Sequence, residues 1–269
     1  MRSGAVLDET RRIFRAHGLP EDLVYLAHVE SSFNWKAVSR AGAVGVWQFT
    51  KPTARLFLSV NDAVDERKDP LFAAEAAACL LKRNFRATGN WPLAVTAYNH
   101  GLLAIRKAMQ EHDSNDLMHL ILAYDAKPFG FASKNFYAEF LAAIRVARDP
   151  AAFFVGIAMD PPLASTVVDV PVPLRITEAE CAFAAGRDTL AALNPALLRA
   201  VLDGRRDIPR GFRLRVPAGT DVATAYARLT SRGLLPRGAT AVWCRTDDQR
   251  FLPYIESTGT GKHAEGPAA

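Results

Sequence analysis

The stretch EDLVYLAHVESSFNWKAVSRAGAVGVWQ, residues 21–48, is the part of the sequence that decides the fold. We predict a helix that starts at Leu19-Pro20, because apolar side chains recur at helical spacing along one face. The members of this face are Leu23, Leu26, Ala27, Glu30 and Phe33. Glu30 is therefore the one carboxylate in an apolar stripe. Burial raises the pKa of a carboxyl group, as a general acid that works near neutral pH requires.

A structural glutamate, capping the next loop or paired with an arginine, is the ordinary alternative for Glu30. Two later segments bear on the choice. Residues 39–48 form a turn of small residues that leads into Trp47 and Gln48, and its glycines let the backbone approach a ligand. The indole offers a face for stacking, and the amide both donates and accepts hydrogen bonds. Residues 97–101, Ala-Tyr-Asn-His-Gly, end a helix with a similar pair. Neither segment alone identifies a function.

Residues 1–150 read as a mainly helical domain with clear helix boundaries. Asp69 and Pro70 predict the cap and first turn of a long helix that runs to Gly89. The other predicted helices are 6–17, one that starts at Trp91, and 134–148 with Ser133 as its cap.

Composition changes near residue 150, where proline and glycine become more frequent. We predict a linker over 151–170, followed by a small α+β module over 171–218 that ends in the strand 212–216. The next segment, 219–257, is predicted to contain a helix over 222–232 and a strand over 239–244. The tail over 258–269 is predicted to be disordered.

The composition excludes several classes of protein. With 33 basic and 28 acidic residues the net charge is +5, and its even spread does not predict a nucleic-acid-binding surface. The longest uncharged apolar stretch, 151–159, is far shorter than the ~20 residues of a transmembrane helix. The three cysteines are widely separated, and together with the histidine spacing they predict neither a disulfide framework nor a metal site.

The first twelve residues lack the apolar core of a secretory signal, since acidic residues occur by position eight. Two interpretations remain open at this point. Either the protein is cytoplasmic, or the true start of the protein lies upstream of this chain.

Three motifs, taken together and in order, resemble those of soluble-lytic-transglycosylase-type domains (glycoside hydrolase family 23). They are Glu30-Ser31-Ser32-Phe33, Gly45-Val46-Trp47-Gln48 and Ala97-Tyr98-Asn99-His100-Gly101. The resemblance covers roughly residues 7–150. The tryptophan before the glutamine, with residues 129–137, is most similar to the branch of membrane-bound lytic murein transglycosylase D.

The resemblance implies a lysozyme-like, mainly α (α+β) catalytic domain with a saccharide groove. Its substrate would be the peptidoglycan glycan strand, cut between N-acetylmuramic acid and N-acetylglucosamine with formation of a 1,6-anhydro end. Glu30 would be the sole acid/base. The residues expected to bind substrate are Ser39, Trp47, Gln48, Tyr98 and Asn99. The resemblance also implies a location in the periplasm or cell envelope; we expect a monomer that needs no metal or organic cofactor.

Two rival functions remain open. A hydrolytic muramidase on the same fold would need a second carboxylate, for which the candidates are Asp62, Asp65, Glu66 and Asp69, although solvated or capping roles are their expected use. A catalytically inactive peptidoglycan-binding protein is the other rival.

The module near the C-terminus resembles a degraded LysM unit. The resemblance rests on 188–197, with an asparagine-proline loop, and on 208–217, with a strand after Pro-x-Gly. LysM units bind N-acetylglucosamine polymers, which implies a structural or weak glycan-contacting role for this module.

Overall fold

The computed structural model describes residues 1–235, and this part of the chain is mainly helical, with one two-stranded sheet. The α-helices are α1 (Leu7–Ala16), α2 (Leu26–Ser31), α3 (Lys51–Ala54), α4 (Pro70–Thr88), α5 (Trp91–His100), α6 (Leu102–Glu111), α7 (Leu117–Ala123), α8 (Phe131–Arg148), α9 (Ile176–Phe183), α10 (Arg187–Leu193), α11 (Arg199–Leu202) and α12 (Val222–Ser231). Short 3-10 helices cover Arg2–Ala5, Glu21–Tyr25, Glu66–Lys68 and Pro150–Ala152.

Helix α4 runs through the core, and the sequence predicts both of its ends. The Asp69 carboxylate accepts hydrogen bonds from the backbone N–H groups of Leu71 and Phe72 at 3.0 and 3.1 Å, as an N-cap does. At the other end Gly89 takes the left-handed conformation with φ of 78°. Because the middle of α4 is rich in buried alanine, α1 and α5 pack closely against it.

The helix predicted from residue 20 through Phe33 is wrong in its extent. A 3-10 helix over Glu21–Tyr25 leads into α2, which ends at Ser31, and both Ser32 and Phe33 have positive φ. Phe33 is fully buried, but it lies beyond the helix and its N–H donates to the carbonyl oxygen of Ala27. Glu30 therefore stands in the last turn of a short helix rather than within a long one.

Helix α8 begins three residues earlier than the sequence predicts. Its N-cap position is occupied by Gly130, which has no side chain to cap the helix, and Ser133 lies inside the first turn. Ser133 is therefore not a cap, contrary to the prediction. Its hydroxyl group bonds to side chains of α5 instead. The predicted end at Arg148 is confirmed.

The C-terminal part of the described chain is built on one antiparallel strand pair. Strand β1 (Ser165–Asp169) lies within the predicted linker and pairs with β2 (Arg213–Pro217), so that Val167 faces Arg215 in the register. Helices α9 to α11 connect the two strands. The strand predicted at 239–244, the tail over 258–269 and Cys244 lie outside the described residues.

This part of the chain is joined to the helical part by buried polar contacts. The Arg215 guanidinium forms an ion pair with the Asp69 carboxylate, and the two side chains are 6% and 0% exposed. Backbone hydrogen bonds run from the N–H of Asp65 to the oxygen of Ala196 and from the N–H of Leu198 to the oxygen of Ala63. One continuous apolar core includes residues of both parts.

Two of the three cysteines lie in the described part of the chain. Cys79 is buried in α4, Cys181 is exposed, and both are free thiols. Among residues 1–235 no helix is both long and apolar enough to cross a bilayer.

Candidate active site

Glu30 is a partly buried carboxyl group at the C-terminal end of α2. Burial raises its pKa from the ordinary value of 4.5 to about 8, and the negative charge of Glu139 on α8 adds to the rise. A carboxyl group with this pKa holds its proton at neutral pH. It is therefore equipped to act as a general acid.

Tyr98 on α5 is a second group next to Glu30. Its hydroxyl group donates a hydrogen bond of 2.8 Å to the carbonyl oxygen of Trp47. Burial raises the pKa of Tyr98 well above its ordinary value, and the charge of Glu30 contributes to the same rise. The phenol is therefore a permanent hydrogen-bond donor, and it links the motif on α5 to the loop before α3.

Gln48 ends the loop that passes beside the candidate site. Its backbone φ is 48°, and its side-chain amide donates a hydrogen bond of 2.8 Å to the oxygen of Gly45. Gly45 has φ of 79°, and a Cβ atom there would lie 2.0 Å from the backbone oxygen of Arg67. The glycine is thus required by close approach of two backbone segments, not by approach to a ligand.

Arg67 supports this loop from the core side. Its guanidinium pairs with Asp65 at 2.7 Å and also donates to the backbone oxygens of Gly42 and Phe49 at 3.3 and 3.4 Å. Arg67, Asp65 and Phe49 are buried, so most of the interactions that fix this loop lie away from the surface.

Trp47 does not occupy the position that a sugar-stacking residue needs. Its side chain has no exposed surface, its ring stacks on Phe14 with centroids 5.4 Å apart, and its indole N–H donates to the oxygen of Pro70. The Trp47 side chain therefore offers no exposed face on which a sugar could stack, and its predicted part in substrate binding stays a prediction. The residue anchors the loop in the core and offers its backbone oxygen to Tyr98.

Ser39 closes a tight turn and is partly buried. Its Oγ accepts a hydrogen bond of 3.0 Å from the N–H of Ala43, and its own N–H donates to the oxygen of the same residue. The hydroxyl proton of Ser39 is not used in these contacts. Its predicted contact with substrate stays a prediction.

Asn99 has an exposed side chain at the end of α5, and α8 holds it from one side. The Ser133 hydroxyl group donates a hydrogen bond of 3.0 Å to Asn99 Oδ1, and His100 Nδ1 lies 3.2 Å from the same hydroxyl oxygen. Burial lowers the pKa of His100, whose ring also packs edge-on against Phe129. No local sequence signal predicts this use of Ser133 or His100.

The four acidic residues considered as a second carboxylate are all engaged elsewhere. Asp65 forms an ion pair with Arg67, and Asp69 caps α4 and forms an ion pair with Arg215. The Glu66 carboxylate accepts a hydrogen bond from the N–H of Ser59. The exposed Asp62 forms an ion pair with Arg206. Asp65 and Asp69 cap helices and Asp62 is exposed, as expected. Glu66 is instead buried and takes neither role.

Glu139 is the carboxylate whose charge acts on Glu30, and sequence reasoning missed it. It is exposed on α8, and the inward face of that helix is formed by Ser133, Phe136 and Phe140. The helical pattern of α8 predicts which face is buried, but no local signal indicates that this helix packs against α2. Among residues 1–235 no group of three or more potential metal ligands occurs.

Comparisons with known proteins find a matching family and several similar proteins. The family described as "Transglycosylase SLT domain" matches residues 13–121. Membrane-bound lytic murein transglycosylase D of Escherichia coli (strain K12) is 33% identical over 121 residues, which are 43% of this chain and 27% of that protein. This chain therefore spans only about a quarter of the length of that relative.

Two further similarities concern shorter or more distant matches. A putative tributyltin chloride resistance protein of Alteromonas sp. (strain M-1) is 33% identical over 85 residues, which cover 31% of this chain and 41% of that protein. Among solved structures, an inactive mutant of the lytic transglycosylase Slt from Pseudomonas aeruginosa is 21% identical with a TM-score of 0.43, and the match covers 54% of this chain and 24% of that one.

Proposed function

We propose that the protein is a lytic transglycosylase that cleaves peptidoglycan glycan strands, because residues 13–121 match the family described as "Transglycosylase SLT domain". The observation that carries the proposal is the protonated Glu30, whose pKa of about 8 makes it a general acid at neutral pH. Tyr98 and the Gln48 loop lie around it, so residues of all three sequence motifs contribute to one site.

The proposed reaction needs one carboxyl group. Glu30 gives its proton to the glycosidic oxygen while the bond from that oxygen to C1 of N-acetylmuramic acid breaks, and an oxocarbenium-like centre forms at C1. The Glu30 carboxylate then takes the proton of the C6 hydroxyl group, whose oxygen forms a new bond to C1. The products are a 1,6-anhydro end and a free hydroxyl group on N-acetylglucosamine. Glu30 regains its proton, and no water is consumed.

The other site residues have proposed roles in holding the glycan. Gln48 and Asn99 carry amides that both donate and accept, and the hydroxyl proton of Ser39 is not used in its turn. The Tyr98 hydroxyl proton is donated to the oxygen of Trp47, so Tyr98 can accept a hydrogen bond from the glycan through its own oxygen. We propose that these four line the groove of a lysozyme-like domain. We leave the side chain of Trp47 out of this set because it lies in the core.

A hydrolytic muramidase is the second candidate, and Glu139 is the observation that favours it. Hydrolysis of a glycosidic bond ordinarily requires two carboxyl groups, one as acid and one as nucleophile or as base toward water. Glu139 is exposed on α8 and its charge acts on Glu30. Under hydrolysis the muramic acid end would be reducing rather than anhydro.

Mass spectrometry of fragments released from intact peptidoglycan sacculi tests both candidates. The wild-type protein is compared with Glu30→Gln and Glu139→Gln. We expect anhydro ends from the wild-type and Glu139→Gln proteins and none from Glu30→Gln. Reducing ends that disappear in both variants would assign hydrolysis to the Glu30 and Glu139 pair. Retained sacculus binding without any release by the wild-type protein would identify a binding protein.

We also propose that residues 171–218, together with β1, are a LysM-like remnant that has a structural role. The antiparallel pairing of β1 with β2 supplies the first strand that the resemblance requires. Asn194 of the asparagine-proline loop donates to and accepts from the backbone of Arg215 at 2.7 Å each, so this loop is tied to β2.

The relative from Escherichia coli is named as membrane-bound. A location in the cell envelope is our corresponding proposal for this protein.

A further inference from the structure

Three side chains form a hydrogen-bonded chain where the end of α5 meets the start of α8. His100 Nδ1 lies 3.2 Å from the Ser133 hydroxyl oxygen, and that hydroxyl group donates to Asn99 Oδ1 at 3.0 Å. Ser133 is buried and Asn99 is exposed, so the chain runs from the protein interior to the surface of the proposed groove.

The positions of the protons in this chain follow from the number of donors. Ser133 has one hydroxyl proton, and it points to Asn99 Oδ1. The hydroxyl oxygen can therefore only accept from His100, which means that His100 carries a proton on Nδ1. Because burial lowers the pKa of His100, its ring is neutral near pH 7 and Nε2 has no proton.

The orientation of the Asn99 amide follows in turn. With Oδ1 turned toward Ser133, the NH₂ group of Asn99 is on the other side of the amide plane, and its two protons are the donors that the exposed part of the side chain presents. Without the serine hydroxyl group the amide could rotate by 180° and present its oxygen instead.

We propose that Ser133 and His100 are positioning residues, which lock the Asn99 amide so that its NH₂ group donates to the carbonyl oxygen of an acetamido group on the bound glycan. The acetamido group fits because its carbonyl oxygen is a strong neutral acceptor, and peptidoglycan sugars carry one on every residue. This inference rests on the proposed function, since it requires that the groove binds an amino-sugar polymer.

A double-mutant cycle on glycan binding tests the proposal. The full chain carries Glu30→Gln so that the ligand is not consumed, and calorimetry measures its affinity for glycan strands freed of their peptides. Ser133→Ala should weaken binding roughly fivefold to tenfold, the effect of one neutral hydrogen bond. Asn99→Ala should weaken binding by a similar factor. Adding Ser133→Ala to Asn99→Ala should then cause no further loss of affinity for the strands.

Two conservative variants separate positioning from a general structural effect. Ser133→Thr keeps the hydroxyl group and should bind as the parent does. His100→Asn keeps a donor close to the position of Nδ1 and should retain most of the affinity, whereas His100→Leu should lose it about as Ser133→Ala does. Thermal unfolding of each variant is measured beside Ser114→Ala, a control that removes a hydroxyl group between α6 and α7.

The ligand is varied as well. Strands from which the acetyl groups have been removed should bind more weakly to the parent, and Ser133→Ala should no longer matter for them. Independent, additive losses from Ser133→Ala and Asn99→Ala would overturn the proposal, as would an equal effect of Ser133→Ala on both ligands. If the parent binds no strands, both the inference and the proposed function fail. If the cycle behaves as expected but the wild-type protein releases no fragments, only the proposed function fails.

Discussion

The hydroxyl group of Tyr98 donates a hydrogen bond of 2.8 Å to the backbone oxygen of Trp47. Tyr98 belongs to the third sequence motif and Trp47 to the second, which are fifty-one residues apart in the chain. Because the Tyr98 phenol also interacts with the charge of Glu30, this one contact connects all three motifs. The burial of Trp47 is what gives the tyrosine a fixed acceptor.

Replacement of Glu30 by glutamine should abolish cleavage and leave the fold intact. A positioned general acid accounts for a rate factor of about 10²–10⁴, so we expect a loss of at least this size. Muropeptide release measures it, and circular dichroism monitors the fold. A variant that folds normally and cleaves at the wild-type rate would contradict the assignment of Glu30.

The same variant should change how stability depends on pH. The folded-state pKa of Glu30 is raised from 4.5 to about 8, so the folded protein binds this proton more tightly than the unfolded chain does. The wild-type protein should therefore lose stability relative to Glu30→Gln as pH rises from about 4.5 to 8, and the difference should level off above 8. Urea unfolding of both proteins at pH 5, 7 and 9 measures it, and a difference that is constant with pH would contradict the shift.

Cleavage by the wild-type protein should fall above about pH 8, where Glu30 loses the proton that it must donate. Glu139→Gln removes the negative charge that helps to hold this proton, so the alkaline limb of the rate profile should move to lower pH. Glu111→Gln, which removes a carboxylate paired with Lys107 on α6, is the matched control and should leave the limb in place. A limb unmoved by Glu139→Gln would show that burial alone sets the pKa of Glu30.

Two glycines of the Gln48 loop should respond differently to alanine. Both have positive φ, but a Cβ atom at Gly42 meets nothing within 4 Å, whereas one at Gly45 would lie 2.0 Å from the backbone oxygen of Arg67. Gly42→Ala should cost about 1 kcal/mol of unfolding free energy for its left-handed conformation. Gly45→Ala should cost about 1–3 kcal/mol more, because overpacking is added. Chemical denaturation compares them, and equal losses would contradict the close approach.

The buried ion pair of Arg215 with Asp69 should contribute far more to the free energy of unfolding than the exposed pair of Arg206 with Asp62, which also connects the two parts of the chain. Arg215→Ala leaves a buried carboxylate without its partner, which typically costs about 3–5 kcal/mol. Arg206→Ala removes a pair with Asp62 in which both side chains are about 60% exposed, and should cost at most about 1 kcal/mol. Denaturation midpoints measure both. Similar small effects would contradict the expected cost of leaving the buried Asp69 carboxylate without its partner.

The sequence predicts elements whose signals are local. The Asp69 cap and the stop at Gly89 follow from residue types at fixed spacing. The grouping of the motif residues around Glu30 is instead what the resemblance to soluble-lytic-transglycosylase-type domains implies. The helix through Phe33 fails because a tertiary contact, the hydrogen bond from Ser31 Oγ to the oxygen of Val46, helps to hold the chain where it leaves the helix. No local pattern contains that contact.

Residues whose environment is set by packing were harder to predict. An aromatic residue beside glycine can stack on a ligand or fill a core, and only the fold shows that Trp47 does the second. Glu139 is one of several exposed charges on an amphipathic helix, and its relation to Glu30 depends on how α8 lies against α2. The sequence predicts Ser133 as a helix cap because local spacing contains no sign of its partners, which lie on α5.

Helix α8 begins ten residues beyond the end of the family match at residue 121. The helix that carries Glu139, whose charge acts on Glu30, and Ser133, which bonds to Asn99, therefore lies outside the matched segment. Exchange of Glu139 alone should therefore change the pKa of the Glu30 carboxyl group while the three motifs stay unaltered.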